Sequence, residues 1–252
     1  MLTRILGAGL LAGVLAGLFV SGLQHVTTVP LILKAETYEK AAEKPAAEHH
    51  SSFKASGGAK LILVHGGAAE PVAGGAEVEA WGPADGLERT AYTSLATVGT
   101  AVGFALMLLA AMIVSGADIT IRSAALWGAG AFVATGLAPG MGLPPELPGS
   151  AAGDLFLRQT WWIGTAAATA AGIWLIFKSQ RGFTVVMAGV ALLAAPHIIG
   201  APVAHEFAST VPAELAGHFT ATSLAVHAVL WVLVGTAAGY FWERFSRSQA
   251  LA

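Results

Sequence analysis

Residues 5–29 read ILGAGLLAGVLAGLFVSGLQHVTTV, an apolar run without one formally charged side chain. As a helix rising about 1.5 Å per residue, it is long enough to cross a hydrocarbon core of ~30 Å. Met1 to Arg4 resemble the n-region of a signal peptide. The apolar stretch greatly exceeds the roughly 7–15 residues of an h-region, so a retained span is expected. Gly9, Gly13 and Gly17 repeat the GxxxG spacing, which marks a face for close helix packing. Pro30 then interrupts the run.

Five further apolar runs follow, at about 90–115, 121–139, 159–177, 183–200 and 214–242. Short joints separate them: GADI before Ile121, PGMGLPPELPGS at 139–150, and KSQRG at 178–182. The expected fold class is an all-α polytopic membrane bundle of six helices, or five if the short run 183–200 or the one broken at Pro139 fails to cross. Three sections follow: residues 1–33 as the first span, 34–88 as a hydrophilic loop, and 89–252 as a five-helix core. The loop holds five lysines, nine carboxylates, and His49, His50 and His65. Only KLILVH, from Lys60 to His65, reads as a strand there; the remainder reads as weakly ordered.

Composition supports lipid as the solvent. Hydrophobic residues make up 55% of the 252-residue chain and charged residues 11%, against about 25% in a soluble domain. Mean hydropathy is +0.68. A net charge of -2 without a basic patch argues against nucleic acid as a partner. The chain has no cysteine, which excludes disulfides, thiolate metal sites and cysteine nucleophiles. No phosphate-binding GxxxxGK[ST] loop, no GxGxxG after a strand and no GxSxG elbow appears, so nucleotide binding and hydrolase chemistry are not expected. The expectation is a protein that is not an enzyme.

Lysine and arginine near helix ends set the expected orientation. With the amino terminus inside, the cytoplasmic segments carry Arg4, Arg122, Lys178, Arg181, Arg244 and Arg247, and the short outer loops carry only Arg158. Both termini are therefore expected in the cytoplasm. On that topology His49, His50, His65 and His205 fall in outer loops, His25, His197 and His218 near outer helix ends, and His227 deeper. None is cytoplasmic.

Several polar stripes run along these apolar helices. Ser21, Gln24, His25 and Thr28 share one face of the first span, Thr90, Thr93, Ser94, Thr97 and Thr100 one face of the second, and Thr220, Ser223 and His227 one face of the last. Lipid tolerates such stripes poorly, so they should face one another across a bundle interior or wet cavity, with plain interhelical hydrogen bonding as the alternative for the hydroxyls. His227 lies thirteen residues after Glu214, about 20 Å inward and near the midplane. His218 is half a turn out of phase with it, so the two cannot share one ion. His197, His205, Glu206 and His218 offer imidazole and carboxylate at an outer vestibule, the chemistry of a divalent-cation site without a fixed motif. The candidate metal residues are thus His25, His197, His205, Glu206, His218 and His227. Asp154 and Arg158, at i and i+4, read as a surface ion pair, and Glu146 as part of the mouth.

The block APGMGLPPELPGSAAGDLFLRQTWWIGTAAATAAG, the PHIIGAP motif and the opening LLAGVLAGLFVSGLQHVTTVPLILKAETYE together resemble the CbtA family of cobalt transporter subunits. The resemblance implies a bacterial inner-membrane protein of about five spans, linked to cobalamin metabolism, with cobalt(II) as transported ion rather than a tightly bound cofactor. It also implies a small single-span partner of the CbtB type with a histidine-rich end, and it assigns no ligand residues. The leading expectation is a membrane subunit that guides cobalt from the outer vestibule past His25 or His227. Ligation needs neutral imidazole, so uptake is expected to weaken below about pH 6.5. The alternative is a membrane metal sensor or scaffold acting through a partner.

Overall fold

The computed structural model describes residues 1–43, 82–151, 153–178, 182–202, 204 and 209–250. The elements are α1 (Leu2–Val26), α2 (Thr28–Glu43), α3 (Leu87–Val114), α4 (Ile121–Phe132), a π-helical turn (Val133–Leu137), α5 (Ala138–Gly142), α6 (Leu155–Lys178), α7 (Phe183–Ile199) and α8 (Ala213–Ala250). Among the described residues there is no strand, and the chain is a polytopic membrane helix bundle. Five stretches are long and apolar enough to span: α1, α3, the continuous course of α4 to α5, α6 and α8. At 17 residues, α7 is shorter.

The packing gives the direction of every helix. A Cβ added at Gly9, Gly13 or Gly17 would lie 2.4, 2.3 or 2.6 Å from atoms of Leu106, Val102 and Val98, so α1 and α3 run antiparallel with their backbones nearly touching. The glycines that mark a packing face in the sequence are the ones that permit this approach. At the other side of α1, the Arg4 guanidinium lies 3.9 Å from the centroid of the Trp242 ring and donates to Ser246 at 2.9 Å. That contact brings the start of α1 to the end of α8. Gly128, Gly235 and Gly239 similarly seat α4 antiparallel on α8. Gly172 and Gly189 face each other between α6 and α7, and Trp161 near the start of α6 donates to the Pro196 carbonyl near the end of α7. Followed through these contacts, α7 travels the same course as its neighbours. The start of α1 and the end of α8 lie at one end of the bundle; five of the stretches that run along it are long and apolar enough to span a membrane, and α7 runs beside them as a shorter apolar helix.

Pro30 does not end the helical structure. It falls in the first turn of α2, where a backbone N–H has no intrahelical partner to lose. Residues 34–43, which the sequence places in the loop, are helical because Ala35 buries itself against Leu147, Val211, Leu215 and Phe219. Glu36 pairs with Arg89, whose guanidinium also reaches Asp85 at 3.3 Å. The strand expected at Lys60–His65, together with His49, His50 and His65, lies outside the described residues.

The break expected at Pro139 is also absent. The helix passes through it by widening into the π turn, where the Ala138 N–H bonds to the Val133 carbonyl five residues back. A proline cannot supply the usual i to i−4 bond, and a π turn shifts the ladder around the gap.

Candidate ion pathway

The polar stripes do converge. Ser21 donates to Ser94 at 2.8 Å, and the Thr97 hydroxyl donates to the Gln24 side-chain oxygen at 2.9 Å, fastening α1 to α3 through polar groups inside an apolar bundle. Next to these bonds is a cavity of about 390 Å3 between α1, α2, α3 and α8. Gln24, Thr28, Thr100, Ser223 and His227 supply its polar lining, and Phe104, Phe219 and Leu230 are among the apolar residues that border it. His227, the deepest histidine, is the one titratable group among the lining residues. No carboxylate lines the cavity.

The imidazole of His227 is held on several sides. The Trp231 indole N–H donates to Nε2 at 2.9 Å. Phe104 stacks on Trp231 with centroids 4.6 Å apart, and Phe132 meets the His227 ring edge-on at 5.9 Å. On its other side is Gly136 of the π turn, where a Cβ would lie 2.9 Å from Nδ1. The π turn is thus also the wall behind His227. Trp231 and Phe104 were not singled out in the sequence. Trp231 stands one helical turn after a histidine that the sequence expects deep in a span, a spacing at which side chains meet.

His25 differs in both place and state. Its neighbours Gln24 and Thr28 line the cavity and it does not. Its Nδ1 lies 2.7 Å from the Ser21 carbonyl, which only accepts, so Nδ1 carries the proton and Nε2 keeps its lone pair. A backbone carbonyl fixing the tautomer this way is a common support for a metal-binding histidine.

The other candidates gather at the end of the bundle away from the termini. His197 sits at the end of α7 with its ring edge-on to Trp161 at 6.2 Å. His218 is on the exposed face of α8, out of phase with His227 as helical spacing predicts, and does not line the cavity. His205 and Glu206 lie outside the described residues. Among the described residues no three His, Asp or Glu side chains come together in a group that could hold a metal. A second cavity of about 280 Å3 opens here, lined by Glu146, Arg158, Ser150, Ser209 and neighbouring backbone.

The ion pair at this mouth differs from the expected one. Arg158 bonds Glu146 at 2.6 Å, not Asp154. Asp154 precedes α6 and accepts the Leu157 N–H at 2.9 Å, so its carboxylate serves the orphan donors of the helix start. The same region joins the sequence blocks that resemble the CbtA family. Gly142 presses on the Trp161 ring, Trp161 bonds Pro196, and Thr220 of α8 donates to the Pro145 carbonyl at 3.0 Å. Blocks separated in sequence thus build one end of the bundle.

A comparison with protein-family models matches residues 2–243 to CbtA, described as the probable cobalt transporter subunit. The chain belongs to the CbtA family. No match was found among curated proteins or among solved structures.

Proposed function

We propose that this CbtA subunit forms the membrane passage of a cobalt(II) uptake system and carries the ion through the cavity between α1, α3 and α8. The observation that carries this reading is the convergence of three polar stripes and His227 on one open cavity of about 390 Å3 in the side of an apolar bundle. A water takes about 30 Å3 of liquid volume, so an ion with its inner hydration shell fits. The lining offers oxygen donors and one imidazole but no negative charge. Such a site holds a dication weakly, which favours passage over capture, since conduction requires that the ion also leave.

On this reading the ion is gathered at the end of the bundle that carries His197 and Glu146. His25, with Nε2 free, is the first imidazole on the way in, and His227 the last. Orientation with the termini in the cytoplasm of a bacterial inner membrane follows from the lysine and arginine distribution. Selectivity for cobalt over nickel or copper has to come from geometry, a gate or a partner, because an N/O site binds those metals more tightly. A small CbtB-like single-span partner with histidines fits that role, and a link to cobalamin metabolism gives the ion a use.

The test is radiocobalt uptake by cells that depend on this chain. Replacing His227 with Ala should abolish most of it, and replacing His218 should leave it within about twofold, as for an exposed position. Uptake indifferent to His227 would remove the cavity from the route.

A further inference from the structure

The bonding of His227 points beyond its place on a route. A neutral imidazole has one ring nitrogen with a lone pair and one with a proton. Indole N–H is a donor only, so the nitrogen that receives it at 2.9 Å must be the unprotonated one. In this state His227 therefore has no lone pair left for a metal ion, although its ring faces the cavity. The ring cannot turn away cheaply: Phe132 lies edge-on to it, Gly136 closes the Nδ1 side, and Phe104 holds the indole flat against its own ring, 7° from parallel.

We infer that Trp231 is a positioning residue that caps His227, so that an incoming divalent ion must displace the indole N–H before the imidazole can ligate it. The inference rests on the cavity being the ion's route. Its consequence is a weaker apparent affinity, because only the fraction of molecules with the indole displaced can ligate the ion through His227. The ion competes with the hydrogen bond at every concentration, so the half-saturating cobalt concentration is raised by the strength of that bond. His25 contrasts with it, since its backbone-bonded Nδ1 leaves Nε2 open.

The test compares Trp231→Phe, His227→Ala and the double variant by radiocobalt uptake, normalised to the amount of each protein in the membrane. Phe keeps the ring and its stacking but has no N–H to donate. Removing a net hydrogen bond should lower the half-saturating cobalt concentration by roughly fivefold in Trp231→Phe. In the His227→Ala background the same change should have no further effect, whereas a merely structural role for Trp231 would persist there. An unchanged half-saturation in Trp231→Phe, with uptake lost in His227→Ala, overturns the cap and leaves the route standing. Uptake insensitive to His227→Ala overturns the route and the cap with it.

A measurement on the unmutated chain stands apart from any folding defect. With 15N-indole tryptophan, saturating Zn(II) as a diamagnetic probe should shift one of the seven indole N–H resonances. That resonance should be insensitive to zinc in His227→Ala. Seven unmoved resonances in the wild-type chain would overturn the cap.

Discussion

His25 and His227 are the same side chain in opposite bonding states. His25 donates from Nδ1 to a backbone carbonyl and keeps an acceptor nitrogen open; His227 accepts from an indole and has none. His25 belongs to the polar stripe of α1 yet stands outside the cavity, and His227 lines it. Lining the cavity and having an open ring nitrogen are therefore separate properties. The neighbours of each ring, and not the depth of the residue, decide which holds.

This contrast can be broken most strongly at His227. Replacing it with Ala should cut cobalt uptake by roughly tenfold or more. His25→Asn keeps an N–H near the Nδ1 position for the Ser21 carbonyl while removing the Nε2 lone pair. It should raise the half-saturating cobalt concentration roughly threefold to tenfold with the maximal rate little changed. An effect of His25→Asn equal to that of His227→Ala would erase the proposed difference between an outer and a deep ligand. Gly136→Ala sharpens the comparison from behind the ring. Its Cβ would come 2.9 Å from His227 Nδ1 and 3.0 Å from Phe132. Overpacking of that kind costs about 1–3 kcal/mol. A lower thermal midpoint of the purified protein and slower uptake are expected, with no matching change near His25.

The smallest effect concerns α2, which follows the His25 end of α1. The hydrogen bond from Arg89 holds the Glu36 carboxyl below its ordinary value of 4.5. A carboxyl whose folded value is lowered stabilises the fold at pH above its unfolded value, and the contribution disappears as pH falls through the folded one. The tie between α2 and α3 should therefore loosen only below pH 4.5. Glu36→Gln should remove the acid-dependent part, read as amide exchange in α2 against pH. Since both side chains are partly exposed, the effect should be modest.

Much of this was legible in the sequence, because lipid leaves few options for apolar runs. Each run became a helix near its expected bounds, the Gly9–Gly13–Gly17 stripe packed, and the phase difference between His218 and His227 appeared as exposure against lining. The parts that were not legible depend on contacts between distant segments. Helix α2 forms because Ala35 finds a pocket made by residues 147–219. The helix passes Pro139 because a π turn moves its hydrogen bonds, something no local propensity reveals. Arg158 chose Glu146 because Asp154 was occupied by the start of α6. Ser21, Gln24, His25 and Thr28 share one broad face, but neighbours on a helix are about 100° apart, and the cavity admits Gln24 and Thr28 and passes over His25.

The most direct test of the route is to fill the cavity. Ser223 contributes a small polar side chain to it, and Ala225 on the same helix is exposed. Ser223→Phe should fit within the free volume and replace it with an apolar ring, whereas Ala225→Phe adds the same ring outside. Radiocobalt uptake per membrane-inserted protein should fall by roughly tenfold or more in Ser223→Phe and stay near wild type in Ala225→Phe. Equal uptake in the wild type and in Ser223→Phe would mean that cobalt does not travel through the space between α1, α3 and α8.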